Sequence, residues 1–171
     1  MEFFKTVETR VSVRGYLQRP VKEADLQKIL HCACLAPSAG NIQSYRVVIV
    51  RKKSDREALA KACHSQMFMV DAPVSIAYLA DKRRDRAKYG ERGSELFSIQ
   101  DATIAAAFSQ LAAAALGLGT VWIGGFDEKA VAKVLKAKKH EKPVVILPLG
   151  YAAEKMEGHE RRKLCDLATE L

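Results

Sequence analysis

The sequence predicts a single α/β or α+β domain whose central sheet is covered by helices, and three observations carry that expectation. Helical and strand-like hydrophobic patterns alternate along the chain with short punctuation between them. The 171 residues fit one domain and leave no room for a second full one. With 49% hydrophobic and 28% charged residues, the chain has enough apolar mass for a core, which excludes disordered, collagen-like and low-complexity readings.

The elements follow in order. A brief helix is expected over Phe3 to Arg10. A better one begins after Pro20, where Leu26, Ile29, Leu30, Ala33 and Cys34 recur at helical spacing and Glu23 and Asp25 suit the positive end of the helix dipole. It should stop before Pro37, because the residue ahead of a proline is pushed out of the α region. Arg46 to Val50 is a β-branched strand, Asp55 to Ala62 the helix that follows, and Val74 to Ala80 a second, buried strand set off by Pro73. Asp81 to Glu95 is charged and carries Gly90 and Gly93, so an exposed loop or frayed helix is expected there. Ile99 to Leu116 is a long, alanine-dense helix closed by Gly117-Leu118-Gly119. Thr120 to Ile123 then reads as a third strand, Glu128 to Lys136 as a third amphipathic helix and Val144 to Leu147 as a fourth strand. From Glu154 the chain is mostly polar, with Leu164, Leu167 and Leu171 as its only aliphatic stripe, a tail suited to burial on a partner subunit.

Composition removes several function classes. The longest apolar stretch is interrupted by Thr103, Ser109 and Gln110, so no transmembrane helix is expected; the first residues do not resemble a signal peptide, and the cytoplasm is the expected location. The net charge of +8 is compatible with nucleic acid, an anionic surface or a phosphorylated small molecule, and its basic runs lack the interleaved aromatics of a single-strand platform. Cys32, Cys34, Cys63 and Cys165 form neither a disulfide framework nor a zinc spacing, and Cys32-Ala33-Cys34 reads as buried thiols. No metal is expected. The four histidines have no HExxH or CxxCH spacing, no serine sits in a GxSxG elbow, and phosphate loops of the usual kinds are absent.

Three local clusters remain, each shaped for an anion or a planar ligand. In Arg10-Val11-Ser12-Val13-Arg14, alternation sends Arg10, Ser12 and Arg14 to one side of an extended backbone, where two guanidinium forks and a hydroxyl suit a phosphate monoester. In Ala36-Pro37-Ser38-Ala39-Gly40-Asn41-Ile42-Gln43, small residues let a flat ligand lie against backbone while Asn41 and Gln43 offer paired amides; the same residues also suit a plain turn. In Gly124-Gly125-Phe126-Asp127, backbone N–H groups can approach a ligand with no side chain in the way, and again a plain turn is the alternative.

Together, in this order and spacing across about residues 6 to 151, the three clusters and Gly117-Leu118-Gly119-Thr120 resemble the nitroreductase family of flavin enzymes. The resemblance implies an α+β, nitroreductase-like fold with a central mainly antiparallel sheet flanked by helices, and an intertwined homodimer over one domain, 1–171. It implies FMN at the subunit interface, NAD(P)H as electron donor and a small electron-poor acceptor such as a nitroaromatic or quinone. Arg10, Ser12 and Arg14 would hold the FMN phosphate and ribityl chain, with Arg161 or Arg162 of the 155–171 tail as a further basic contact. Pro37, Ser38 and Ala39 would meet the isoalloxazine from the other subunit, Asn41 and Gln43 would bond its polar edge, and Gly125 with Gly124 would offer backbone N–H to flavin N5. No acid or base side chain is then required, because the cofactor carries the redox chemistry. The chain departs from the family pattern at Gln43-Ser44-Tyr45, at Gly124 where larger members place a glutamate, and between Lys61 and Asp71, where Gln66 stands in for a lysine near the flavin pyrimidine. Specialised flavin chemistry, such as dehalogenation or cofactor fragmentation, is the alternative on the same scaffold, and a basic nucleic-acid-binding module is the rival from another class.

Overall fold

The computed structural model describes residues 2–154 and 157–170. Ten helices and strands succeed one another: α1 (Phe3–Thr9), α2 (Glu23–Cys34), β1 (Tyr45–Val50), α3 (Lys53–Ala62), β2 (Val74–Asp81), α4 (Lys82–Arg92), α5 (Ser98–Ala115), β3 (Gly119–Thr120), α6 (Glu128–Val134) and β4 (Glu141–Gly150). The strands form one antiparallel sheet in the order β1-β2-β4-β3. Tyr45 pairs with Ala80 and Val50 with Ser75; Val74 pairs with Leu149, and a bulge interrupts the second ladder between Tyr78 and Leu79.

Strand β2 lies inside this sheet and is buried along its whole length. Because side chains alternate across a strand, Ile76, Tyr78 and Ala80 enter one core with Leu26 and Ile29 of α2 and Ala102, Ala105 and Ala106 of α5. Ala77 and Leu79 enter the other, with Leu59, Cys63 and Met69 below α3 and Val131 and Leu135 at α6. The result is a helix-sheet-helix sandwich. Alanines bring α5 close to α2 and the sheet, and the Tyr78 hydroxyl bonds Ser109 within that layer. Gly117, at φ 75°, closes α5: Leu118 N–H donates to Ala113 O and Gly117 N–H to Ala114 O, a left-handed cap that glycine adopts without a Cβ penalty.

The structure refines three sequence expectations. Of the exposed loop or frayed helix expected at Asp81 to Glu95, the structure has the helix: α4 is exposed over most of its length, breaks at Gly90 (φ 61°) and passes through a π turn at Gly93–Phe97 into α5. Past the break the chain folds back so that Gly93 lies directly on the Asp85 carbonyl, and Asp85, Gly93 and Ser94 are buried there. The third strand is shorter than Thr120 to Ile123: the chain leaves the sheet after Thr120 and rejoins it through a single bridge between Ile123 and Ile146. Of the Cys32/Cys34 pair, Cys34 is exposed, whereas Cys63 is fully buried and burial pushes its thiol up to about 11. Among the described residues no helix is long and apolar enough to cross a membrane, and no group of three or more His, Cys, Asp or Glu side chains is placed to hold a metal ion.

Candidate flavin site in two separated halves

The first half grows from the extended segment after α1. Val13 N–H donates to Thr120 O at 3.0 Å, and Ser12 forms a parallel bridge with Thr120, so this segment runs beside β3. That approach needs glycine at 119, where any Cβ would collide with the Val13 side chain. Val13 is buried and its neighbours turn outward. Arg10 and Ser12 line a cavity of about 120 Å³ together with Val11, Glu157, Gly158, His159 and Arg161. Burial, and then the nearby positive charge of Arg161, hold the Arg10 guanidinium below its ordinary pKa. Neither arginine has a carboxylate within ion-pair distance among the described residues, Glu157 included. Two cations that share one small cavity, with Glu157 in its lining but ion-paired to neither, fit a phosphate monoester. Arg14 is exposed and is not part of this lining, and the Arg162 guanidinium donates to Asp166 O in its own tail.

The second half is the turn between α2 and β1. Gly40, Asn41 and Gln43 all have positive φ (53°, 58° and 54°), a left-handed conformation that costs non-glycine residues roughly 1–2 kcal/mol each, less for asparagine. The turn persists because it is tied from four directions. Gln43 N–H donates to Ser38 Oγ at 3.1 Å, and Gln43 Nε2 donates to Cys34 O at 2.9 Å. Ala39 N–H donates to one Asp101 oxygen at 2.9 Å and Ser44 N–H to the other at 3.1 Å. Asp101 is 2% exposed on α5 and is the residue that sequence reasoning missed. Its signal was available: it is the only charged residue in Ser98–Ala115, and a carboxylate buried in an alanine helix needs donors. Pro37, Ser38 and Ala39 line an open cavity of about 520 Å³ with Phe97, Ile99, Gln100, Asp101, Thr103 and Ile104, while Asn41 is exposed beside it. The Gln43 amide is committed to the end of α2 through Cys34 O.

Behind the turn lies a second buried acid. Asp85 is fully buried, the Ser44 hydroxyl lies alongside it, and neither finds a hydrogen-bond partner of good geometry among the described residues. Desolvation, opposed in part by Ser44 and reinforced by Asp101, raises its pKa from the ordinary aspartate value.

The third cluster follows β3. Gly124 and Gly125 are exposed, and among the described residues neither N–H has a protein acceptor. Side chains at these positions would meet nothing closer than Trp122 Nε1 at 3.5 Å and His64 Cδ2 at 3.9 Å, so the glycines are not demanded by this chain's own packing. Asp127 accepts from Ala130 N–H and caps α6, which fixes where the turn ends. The half-buried Gln66 side chain makes no hydrogen bond with another described residue.

Within one chain the two clusters line separate cavities. Their cavities share no residue. Along α5, Ile104 lines the turn's cavity, whereas Ala114, about 15 Å further along the axis, lines a cleft with Arg10 and Val11.

The sequence profile of the nitroreductase family matches residues 7–71 and 65–151. A protein of Archaeoglobus fulgidus, named as a candidate NADH dehydrogenase/NAD(P)H nitroreductase, is 32% identical over 166 residues, 93% of this chain and 90% of that one. The FMN reductase [NAD(P)H] of Bacillus subtilis is 28% identical over 90% of this chain and 67% of its own. The structure of B. megaterium NfrA2 superposes with a TM-score of 0.92 at 25% identity, covering 99% of this chain and 74% of that one.

Proposed function

Because the chain belongs to the nitroreductase family, we propose that it is an FMN-dependent oxidoreductase that takes electrons from NAD(P)H and passes them to a small electron-poor acceptor such as a quinone or nitroaromatic. The observation that carries the cofactor is the Arg10–Arg161 couple around a phosphate-sized cavity. FMN, when bound, supplies the two-electron redox chemistry.

The protein's part is binding and orientation. Arg10, Ser12 and Arg161 hold the phosphate; Arg14 and Arg162 stand near enough in sequence to complete the shell on assembly. Pro37, Ser38 and Ala39 offer a flat wall, Asn41 offers its amide to the ring edge, and Gln43 stiffens the turn. Gly125 and Gly124 present N–H groups that have no acceptor of their own.

We further propose that the working unit is a homodimer, with the phosphate half of one chain facing the ring half of the other. Separation of the halves along α5 supports this, and so does the apolar surface left on α1 and α5. Phe3, Phe4, Val7 and Phe108 are exposed, and a groove of about 370 Å³ runs between Phe3, Cys32, Phe108 and Leu111. Leu164 and Leu167 of the tail are exposed as well and suit the partner's surface; Leu171 lies outside the described residues. A cytoplasmic location, where this donor is regenerated, belongs to the same proposal.

The test is a titration of the purified protein with NADH and NADPH under anaerobic conditions. A flavin spectrum that bleaches with either donor and returns on adding a quinone is expected. A colourless protein that FMN cannot reconstitute, or a bound flavin that neither donor reduces, would overturn the reading.

A further inference from the structure

Helix α4 carries six cations, and they are not equivalent. Lys82 pairs with Glu95 at 2.6 Å and Arg83 with Asp81 at 3.6 Å. Arg84, Lys88 and Arg92 have no carboxylate within ion-pair distance among the described residues. The four-residue spacing sets Arg84 and Lys88 along one side of the helix, roughly 6 Å apart, while Arg92 lies past the break at Gly90 and is placed by its approach to the Phe97 ring. That side faces the turn of the ring half. Arg84 donates to Ile42 O at 3.0 Å, and the side-chain ends of Lys88 and Tyr89 lie against Gly40.

Two aromatic rings join this stripe to the cavity. Tyr89 and Phe97 meet edge to face at 5.3 Å, and Phe97 lines the 520 Å³ cavity with Pro37 and Ala39. Lys88 Nζ lies 5.3 Å from the Tyr89 centroid and Arg92 Cζ 5.5 Å from that of Phe97. Cations parked on ring faces at a cavity mouth are held in place yet keep their hydrogen-bond donors for a ligand. A ligand that suits both features has a flat ring to enter the cavity and phosphates to remain outside it.

We propose that Arg84, Lys88 and Arg92 form a phosphate-binding ridge for the electron-donor dinucleotide, at the mouth of the cavity made by the ring half. This rests on the oxidoreductase reading and adds where the donor docks. Two phosphate sources share the chemistry: the pyrophosphate, present in NADH and NADPH alike, and the 2′-phosphate of NADPH alone.

The test uses the FMN-loaded protein with a saturating quinone and compares wild type with Lys88→Ala/Arg92→Ala, leaving the Arg84 bond to the turn intact. The donor KM rises at least tenfold with kcat within twofold and flavin content unchanged. A rise for NADPH alone assigns the ridge to the 2′-phosphate, and equal rises assign it to the pyrophosphate. Lys129→Ala/Lys133→Ala, exposed cations on α6, controls for general charge and leaves both KM values in place. Unchanged KM for both donors, or an equal effect of the control, overturns the ridge. Calorimetric binding of adenosine 2′,5′-bisphosphate and of ADP separates this from failure of the oxidoreductase reading, since it needs no turnover. If neither donor reduces the flavin, that reading falls, while nucleotide binding by wild type that the double variant loses still supports the ridge. Equal binding by both proteins, or none by wild type, overturns it.

Discussion

Asp101→Asn is the most informative single change, because it keeps volume and alters only what the turn can hold on to. In the native protein both carboxylate oxygens accept main-chain N–H groups, at 2.9 and 3.1 Å, from a side chain that is 2% exposed. A hydrogen bond to a charged group contributes about 1.5–3 kcal/mol. Asparagine retains one acceptor but turns an NH₂ toward the other amide, so one such bond is lost and a buried donor is left without a partner. The turn it restrains stores roughly 2–3 kcal/mol in the positive φ values of Asn41 and Gln43. Restraint and strain are therefore of similar size, and the variant should let the turn relax. Flavin affinity, read by quenching of flavin fluorescence, should drop about 10- to 100-fold, since about 1.4 kcal/mol is one decade. The drop should be the same for FMN and riboflavin, because in the proposed site the turn meets the ring and not the phosphate. A variant that binds both flavins as tightly as wild type would refute the clamp, and a loss confined to FMN would refute the assignment of the turn to the ring half. Thermal unfolding of the apo protein separates either result from general destabilisation.

Three further outcomes follow from the same geometry. Arg10→Ala should weaken FMN about tenfold or more and leave riboflavin nearly unchanged in the same titration, since only FMN carries the phosphate. Phe108→Asp places a charge on the exposed apolar face of α5 and should shift sedimentation toward monomer, with flavin lost in parallel. Asp85 binds its proton more tightly folded than unfolded, so its contribution to stability is present at acid pH and is lost as pH rises through and above the ordinary carboxylate range. Asp85→Asn should flatten that slope and raise the melting temperature at neutral pH, each kcal/mol reading as about 2–4 °C.

Much of the fold was legible because its central elements are strongly periodic. Helix α2 announces itself through Leu26, Ile29 and Ala33, and β2 is apolar from Ile76 to Ala80. Helix α4 was legible only as an exposed loop or frayed helix: its one buried residue is Asp85, which makes no apolar stripe, and the fold-back after it depends on a missing Cβ at Gly93. Of the site, the local motifs could be read from residue types and spacing. Asp101 could not be assigned to the turn, because its partners Ala39 and Ser44 lie 62 and 57 residues away and nothing local links them. Nor could the choice between the tail arginines be made, since Arg161 reaches Arg10 only through the path the chain takes after β4.

The central structural claim, one flavin site built from two chains, has a direct test by complementation. Arg10→Ala damages the phosphate half and Asp101→Asn the ring half, so each variant alone binds FMN weakly at every site. Equal amounts of the two are unfolded together and refolded, and tight FMN sites are counted by titration. If the halves come from different chains, each mixed dimer contains one site with neither defect, and about a quarter of all sites recover wild-type affinity. If both halves come from the same chain, every site keeps one defect and no tight binding returns, which would contradict the account.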